Sequence, residues 1–239
     1  EGLMFQLQNL SIPFVSIKTS EMGADSYRKF DFSTDVYGGG RLAGRHFLSH
    51  GHRKAIFFCS HLKTNIYKFE GLKTSWLEAG LPLEHCVEIE GMGVNDEEVI
   101  QQFCNLVNKH GFTACLTSND FIAARLMQHL QVVGIKVPDD LALIGFDGNH
   151  FVPLLSPSLT SVIQDYRETS VKAGRLLLQR IDEFAAANCQ IIQEEYAVMP
   201  KLFIGGSCGC DVAPDPLMKW TTEDRDLTAF YADKLITHC

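Results

Sequence analysis

At 239 residues, 46% hydrophobic and 21% charged, the chain has the make-up of one large globular unit or two lobes of ordinary size. The formal net charge is −8, from 21 Lys+Arg against 29 Asp+Glu. Such a surface repels phosphate backbones and no basic cluster offsets it, so this stretch is not expected to read nucleic acid itself. No apolar run reaches the roughly 18–20 residues of a membrane-spanning helix, and no membrane partner is expected.

In chain order, short apolar runs alternate with helix-period segments. The runs Pro13–Ile17, Ala55–Cys59, Val87–Ile89, Thr113–Leu116 and Leu141–Phe146 read as strands. Helices are expected near 38–50, 65–79, 95–110, 119–133 and 166–187. Short strands buried on both faces and spaced by single helices predict a doubly wound parallel α/β sheet. Asn95-Asp96-Glu97-Glu98 supplies a cap and acidic residues for a helix start. Gly51, Gly80, Gly111 and Gly134 each stand where a left-handed helix end is wanted. Beyond Cys210 the alternation stops; 211–219 reads as a linker and 221–237 as an amphipathic helix.

The eight cysteines are Cys59, Cys86, Cys104, Cys115, Cys189, Cys208, Cys210 and Cys239. Several sit inside apolar runs (IFFC, TACL), which reads as buried free thiols in a reducing, cytoplasmic setting rather than a disulfide framework.

Motif by motif, most chemistry falls away. Gly38-Gly39-Gly40-Arg41-Leu42-Ala43 fits G-x-G-x-x-A, but the preceding DFSTD is polar where a dinucleotide fingerprint needs an apolar strand. His46, His50 and His52 bring no Cys or carboxylate at ligand spacing, so a structural or solvent-facing role is expected and no metal site is assigned. Cys208-Gly209-Cys210, with Cys239, offers a soft-metal or redox loop with too few ligands. No nucleophile stands on a G-x-S-x-G turn, and no catalytic residue or cofactor is expected.

What remains are polar residues just past strand ends, where open α/β sheets bind ligands. Asp147 follows LALIGF, Asn119-Asp120 follow TACLTS, and Thr64 and Lys68 lie one helical turn apart after AIFFCS. Together they supply acceptors, an amide and one cation, which suits a hydroxyl-rich ligand. Helix capping for Asn119-Asp120 and a turn at Asp147-Gly148 account for those residues equally well.

These same segments resemble the effector-binding domain of LacI/GalR-type repressors, of the two-lobed periplasmic-binding-protein-like type I fold. The matching text is Asp35-Val-Tyr-Gly-Gly-Gly-Arg-Leu-Ala-Gly-Arg-His-Phe-Leu-Ser-His-Gly-His52, Thr64 to Gly71 and Thr113-Ala-Cys-Leu-Thr-Ser-Asn-Asp120. It continues through Gly134-Ile-Lys-Val-Pro-Asp-Asp-Leu-Ala-Leu-Ile-Gly-Phe-Asp147 and Pro157-Ser-Leu-Thr-Ser-Val-Ile-Gln164, and the resemblance covers about residues 9–208. It implies ligand contacts from Thr64, Asn119 and Asp147, with Asp35 and Gln164 beside them. Lys68 stands where the family usually carries an arginine, exchanging a planar fork for a point charge.

The resemblance further implies an N-terminal lobe at 1–60 plus 164–190 and a C-terminal lobe at 61–163 plus 191–210, with 211–239 as linker and helix. The N-terminal lobe is expected to be partial, lacking the helix-turn-helix headpiece and about three strands. Helices near 38–50 and 60–80 would line the cleft and a homodimer surface. The implied function is a small-molecule sensor in a transcriptional regulator, acting on DNA only through a headpiece absent from this chain. A C-terminal signalling output is the second form of that reading. An exported solute-binding protein is the alternative, and an enzyme on the same fold lacks any paired acid and base.

Overall fold

The computed structural model describes residues 6–7, 9–10, 12–18, 32–91, 97–185 and 196–210. The main sheet has six strands in the order β4 (Cys86–Glu90), β3 (Ala55–Cys59), β5 (Ala114–Thr117), β6 (Ala142–Asp147), β7 (Thr160–Ile163) and β9 (Lys201–Phe203). All pairs are parallel except the last, where β9 runs antiparallel to β7. A smaller parallel sheet holds β1 (Ile17–Lys18), β2 (Phe32–Thr34) and β8 (Tyr196–Val198). This is the α/β architecture expected.

The central strand β3 shows why the sheet is covered twice. Its five residues are all buried, Ala55, Phe57 and Cys59 joining one apolar cluster and Ile56 and Phe58 the other. Successive side chains of a strand alternate faces, so an unbroken apolar run demands helices on both. Helices α1 (Val36–Ser49) and α2 (Leu62–Glu78) supply Phe47, Leu72 and Trp76 to the first face. Helices α3 (Glu97–His110) and α4 (Asp120–Val132) supply Phe103, Leu126 and Leu130 to the second. Burying each such side chain contributes about 1.5–3 kcal/mol. A fifth helix, α5 (Tyr166–Ala185), packs beside β2.

The glycines rejected as a nucleotide loop have a packing role. A Cβ on Gly40 would overlap the Lys68 carbonyl oxygen, and one on Gly71 the Tyr37 carbonyl oxygen. Both residues let α1 and α2 approach backbone to backbone, which fixes where α2 presents Lys68. Helix ends fall where glycine predicted them: Gly51, Gly80, Gly111 and Gly134 have φ of 86°, 69°, 68° and 80°.

Sheet membership differs from the lobes expected. The strand Ala55–Cys59, placed with residues 1–60 in the N-terminal lobe, is paired on both sides within the six-stranded sheet. The chain leaves the small sheet at Thr34, enters α1 at once, and returns along β7 into α5 and along β8 into β9. The crossings therefore lie at 34–35, 163–166 and 198–201, and β8 belongs with the small sheet rather than with 191–210. Backbone bonding ties two crossings together, Asp35 N donating to the Val198 carbonyl at 3.2 Å. Strands β2, β7, β8 and β9 were not foreseen as strands. The Asn95-Asp96 cap, the linker at 211–219 and the helix at 221–237 lie outside the described residues.

Six cysteines among the described residues carry free thiols, and burial pushes those of Cys59 and Cys86 up to about 12. Cys189 and Cys239 lie outside the described residues.

Candidate functional site

Polar side chains gather where the carboxyl ends of β3, β5 and β6 meet the crossing segments. Lys68, on the second turn of α2, is almost wholly buried (side chain 4% exposed). Its ammonium donates to the Ser118 carbonyl at 2.7 Å and stands 4.2 Å from the Phe146 ring centroid. The Asp147 carboxylate is 3.9 Å away. A desolvated cation is held here by a carbonyl dipole, an aromatic face and a carboxylate, which together offset its lost hydration.

Asp147 ends β6 with φ of 105°, a backbone region that favours glycine. Its Oδ1 accepts from Gln164 Nε2 at 2.7 Å, and Gln164 Oε1 accepts from Thr34 Oγ1 at 2.7 Å. Gln164 is 3% exposed, so its amide is oriented by both partners. A continuous line thus runs from Ser118 through Lys68, Asp147 and Gln164 to Thr34, the last residue of β2 in the small sheet.

Three further residues support this line. Asp120, fully buried at the start of α4, accepts from Ser161 Oγ at 2.6 Å and from Asn149 N at 2.7 Å. Burial pushes its carboxyl up to about 6, with the Asp147 charge adding and the hydrogen bonds from Asn149 and Ser161 opposing. Gly145 makes room for it, since a Cβ there would overlap Asp120 Oδ1. Ser118 is 1% exposed, and its hydroxyl has no hydrogen-bond partner among the described residues.

Of the residues expected in the site, Lys68, Asp147 and Gln164 come together. Asp35 and Asn119 cap helices: Asp35 Oδ1 accepts from Gly38 N at 2.7 Å and Asn119 Oδ1 from Ile122 N at 2.9 Å. Both stand at helix starts, with these oxygens committed to backbone N–H groups. Thr64 lies on α2, one turn before Lys68, and its side chain lies outside the described residues. Sequence reasoning missed Thr34 and Ser118, and it named Asp120 beside Asn119 at the strand end without carrying it into the ligand contacts. The signal for Asp120 was present as an acid next to Asn119, but a helix start explains an acid without a site.

The three histidines part company. His52 Nδ1 pairs with Thr113 Oγ1 at 2.9 Å, whereas His46 and His50 face Cys210 from one side of α1. A groove of about 660 Å³ lies elsewhere, between the far half of α4 and Leu154–Pro157.

Comparisons with known proteins converge on one fold. A family model described as a periplasmic binding protein-like domain matches residues 45–208. An HTH-type transcriptional repressor PurR of Actinobacillus pleuropneumoniae serotype 3 (strain JL03) is 32% identical over 174 residues, 72% of this chain and 51% of that protein. A PurR of Vibrio atlanticus (strain LGP32) is 32% identical over 147 residues, 61% of this chain and 44% of the repressor. The chain thus spans about half the length of the curated relatives it matches. Among solved structures, a LacI family transcriptional regulator from Enterococcus faecium with bound ribose superposes with a TM-score of 0.68 at 22% identity. That alignment covers 86% of this chain and 73% of that one. A second ribose-bound LacI family regulator, from Enterococcus faecalis V583, gives 0.65 at 25% identity over 86% and 72%.

Proposed function

Since the chain belongs to the periplasmic binding protein-like domain family, we propose that it is the effector-sensing domain of a LacI-type transcriptional regulator, clamping a small polyhydroxylated molecule between its two sheets. One observation carries this: the polar line from Lys68 to Thr34 begins at the carboxyl ends of the large sheet and ends on a crossing into the small one. A ligand hydroxyl that engages Asp147 competes directly with Gln164, and through Gln164 with the position of Thr34. Binding is thereby linked to the angle between the sheets. Such a linkage shifts the domain only as far as the ligand prefers the closed arrangement over the open one.

The ligand class follows from the chemistry available. Lys68 offers a point charge, Asp147 paired acceptors, and Ser118 a hydroxyl with unused capacity, a set that matches vicinal hydroxyls. Solved neighbours with bound ribose and, in the regulator CelR, cellobiose support a sugar. The residues act by binding and positioning, without a nucleophile or a paired acid and base. In this reading the domain works as a homodimer in the cytoplasm, and DNA is contacted by a segment other than this one.

A thermal-shift screen of the purified chain against pentoses, hexoses, sugar phosphates, nucleosides and purines tests the proposal. A ligand that binds only the folded state raises the melting temperature by mass action. The expected result is stabilisation by one group of related sugars, abolished in Asp147→Ala. Stabilisation that persists unchanged in Asp147→Ala would move the site away from the strand ends.

A further inference from the structure

A cluster remote from the cleft unites residues that are far apart in sequence. His46 lies in the last turn of α1 and His50 caps its C-terminal end four residues on, so both rings project to one side, with centroids 4.3 Å apart. Cys210 Sγ stands 3.1 Å from His50 Nε2 and 3.6 Å from His46 Nε2. Cys208 Sγ is 3.2 Å from Cys210 Sγ. A thiol satisfied by one imidazole explains a single contact of this kind; it does not explain two imidazole nitrogens converging on one sulfur.

The tautomer of His50 is decided by its other nitrogen. Nδ1 is 2.9 Å from the His46 carbonyl, which only accepts, so Nδ1 carries the hydrogen and Nε2 presents a lone pair toward Cys210. A backbone carbonyl behind the imidazole is the arrangement that orients histidine ligands on metals. The cysteines are equally well held. Ser207, between them and β7, donates its hydroxyl to the Leu143 carbonyl at 2.6 Å and accepts from Thr160 N at 2.8 Å. Gly209, at φ of 82°, then turns the chain so that both sulfurs meet.

We infer that His46 Nε2, His50 Nε2, Cys208 Sγ and Cys210 Sγ form a binding site for a zinc-like divalent transition metal. Zinc takes nitrogen at about 2.0–2.1 Å and thiolate sulfur at about 2.3 Å, so tetrahedral ligand atoms lie roughly 3.3–3.8 Å apart. The two nitrogen–sulfur contacts, 3.1 and 3.6 Å, lie within a few tenths of that range, and the sulfur–sulfur contact of 3.2 Å opens by roughly half an ångström on binding. His46, His50 and Cys210 already place their donor atoms within 4.8 Å of one another. Cys208 completes the set by turning its sulfur from the Gly205 carbonyl, 3.5 Å away, onto the ion. On binding, two S–H bonds break, two protons leave to solvent and two metal–sulfur bonds form, with no change in oxidation state. Two imidazoles and two thiolates select zinc or cobalt over harder cations. The bound ion would pin the C-terminal end of α1 to the turn at Gly206–Cys208, from which residues 211–239 continue. The site is independent of the sugar cleft.

The test uses the tag-free 239-residue chain, reduced with a phosphine and stripped of metal by a chelator, then titrated with Co2+. The expected result is one Co2+ per chain, with thiolate-to-cobalt charge transfer and the strong visible bands of tetrahedral coordination. Zn2+ should displace it and raise the melting temperature. Cys210→Ser and His50→Ala should each lose the spectrum while keeping a native circular dichroism profile, and Cys239→Ser should retain it. An octahedral spectrum, or a tetrahedral one that survives Cys210→Ser, would overturn the inference. So would a Cys208–Cys210 disulfide in the protein as isolated, combined with no metal uptake after reduction; that outcome would assign a redox pair instead.

Discussion

Strands β6 and β7 carry polar groups at both ends, and the two ends differ in how completely those groups are satisfied. At the amino end, Ser207 bridges the Leu143 carbonyl and Thr160 N. Thr160 Oγ1 donates to the Gly205 carbonyl at 3.0 Å and accepts from Gly205 N at 2.9 Å. Both residues are fully buried and uncharged, and each hydroxyl both gives and receives. At the carboxyl end, Asp147 sits at φ of 105°, Asp120 is a buried acid, Lys68 a buried cation, and the Ser118 hydroxyl has no partner among the described residues. The first arrangement is what a fold needs, since closed hydrogen bonds make burial of polar atoms affordable. The second carries strain and unused capacity that a fold alone has no reason to keep. Strand ends of open α/β sheets bind ligands at the carboxyl side, which is the side where the incompletely satisfied groups lie here.

The largest predicted effect concerns the charge at the carboxyl end. A carboxyl whose folded value is raised from 3.8 to about 6 binds more protons folded than unfolded between those values. Stability contributed by Asp120 is therefore full below pH 4 and lost as pH rises through 6, by about 3 kcal/mol. Urea unfolding of the native chain and Asp120→Asn from pH 3.5 to 7 should show the gap between them moving by that amount; parallel curves would place the Asp120 carboxyl at an ordinary value.

At the amino end, Ser207→Ala removes the partner of a buried Thr160 N–H and should cost about 2 kcal/mol with no effect on ligand binding per folded molecule. A loss of affinity alongside the loss of stability would blur the distinction between the two ends. Asp147→Gly is the converse. Relief of the backbone strain offsets the lost hydrogen bond to Gln164, but the buried Lys68 loses its carboxylate, so stability should fall by about 1–2 kcal/mol. A drop several times larger would put Asp147 with the structural group. Smallest of all, Glu78→Ala breaks the exposed bridges to Arg41 and Arg45 between α1 and α2, and the unfolding midpoint should not move measurably.

How far these features were legible depends on whether a local pattern encodes them. Helices α1 to α5 and strands β3 to β6 follow from apolar period and glycine stops, and Ala55–Cys59 matches to the residue. Strand β7 escaped because its buried positions include Thr160 and Ser161, whose polarity is met by Gly205 and Asp120 from distant parts of the chain. Strands of three residues, such as β2, β8 and β9, are too short for any period to show. The sheet to which Ala55–Cys59 belongs was not legible, because chain order does not reveal that β3 pairs with β4 and β5. Within the site, Lys68 and Asp147 were visible as charges past strand ends, and Gln164 through family likeness. The approach of Cys210 to His46 and His50 joins residues about 160 positions apart, beyond the reach of any ligand-spacing rule.

The central claim is that the strained carboxyl end binds a small polar ligand and the satisfied amino end does not. Titration calorimetry of the sugar found by thermal screening, into the native chain, Asp147→Gly and Ser207→Ala at a temperature where all three are folded, tests it most directly. The account predicts saturable binding with one site per chain for the native protein and Ser207→Ala, and no detectable heat of binding for Asp147→Gly. Equal affinity in all three would contradict it and remove Asp147 from the site.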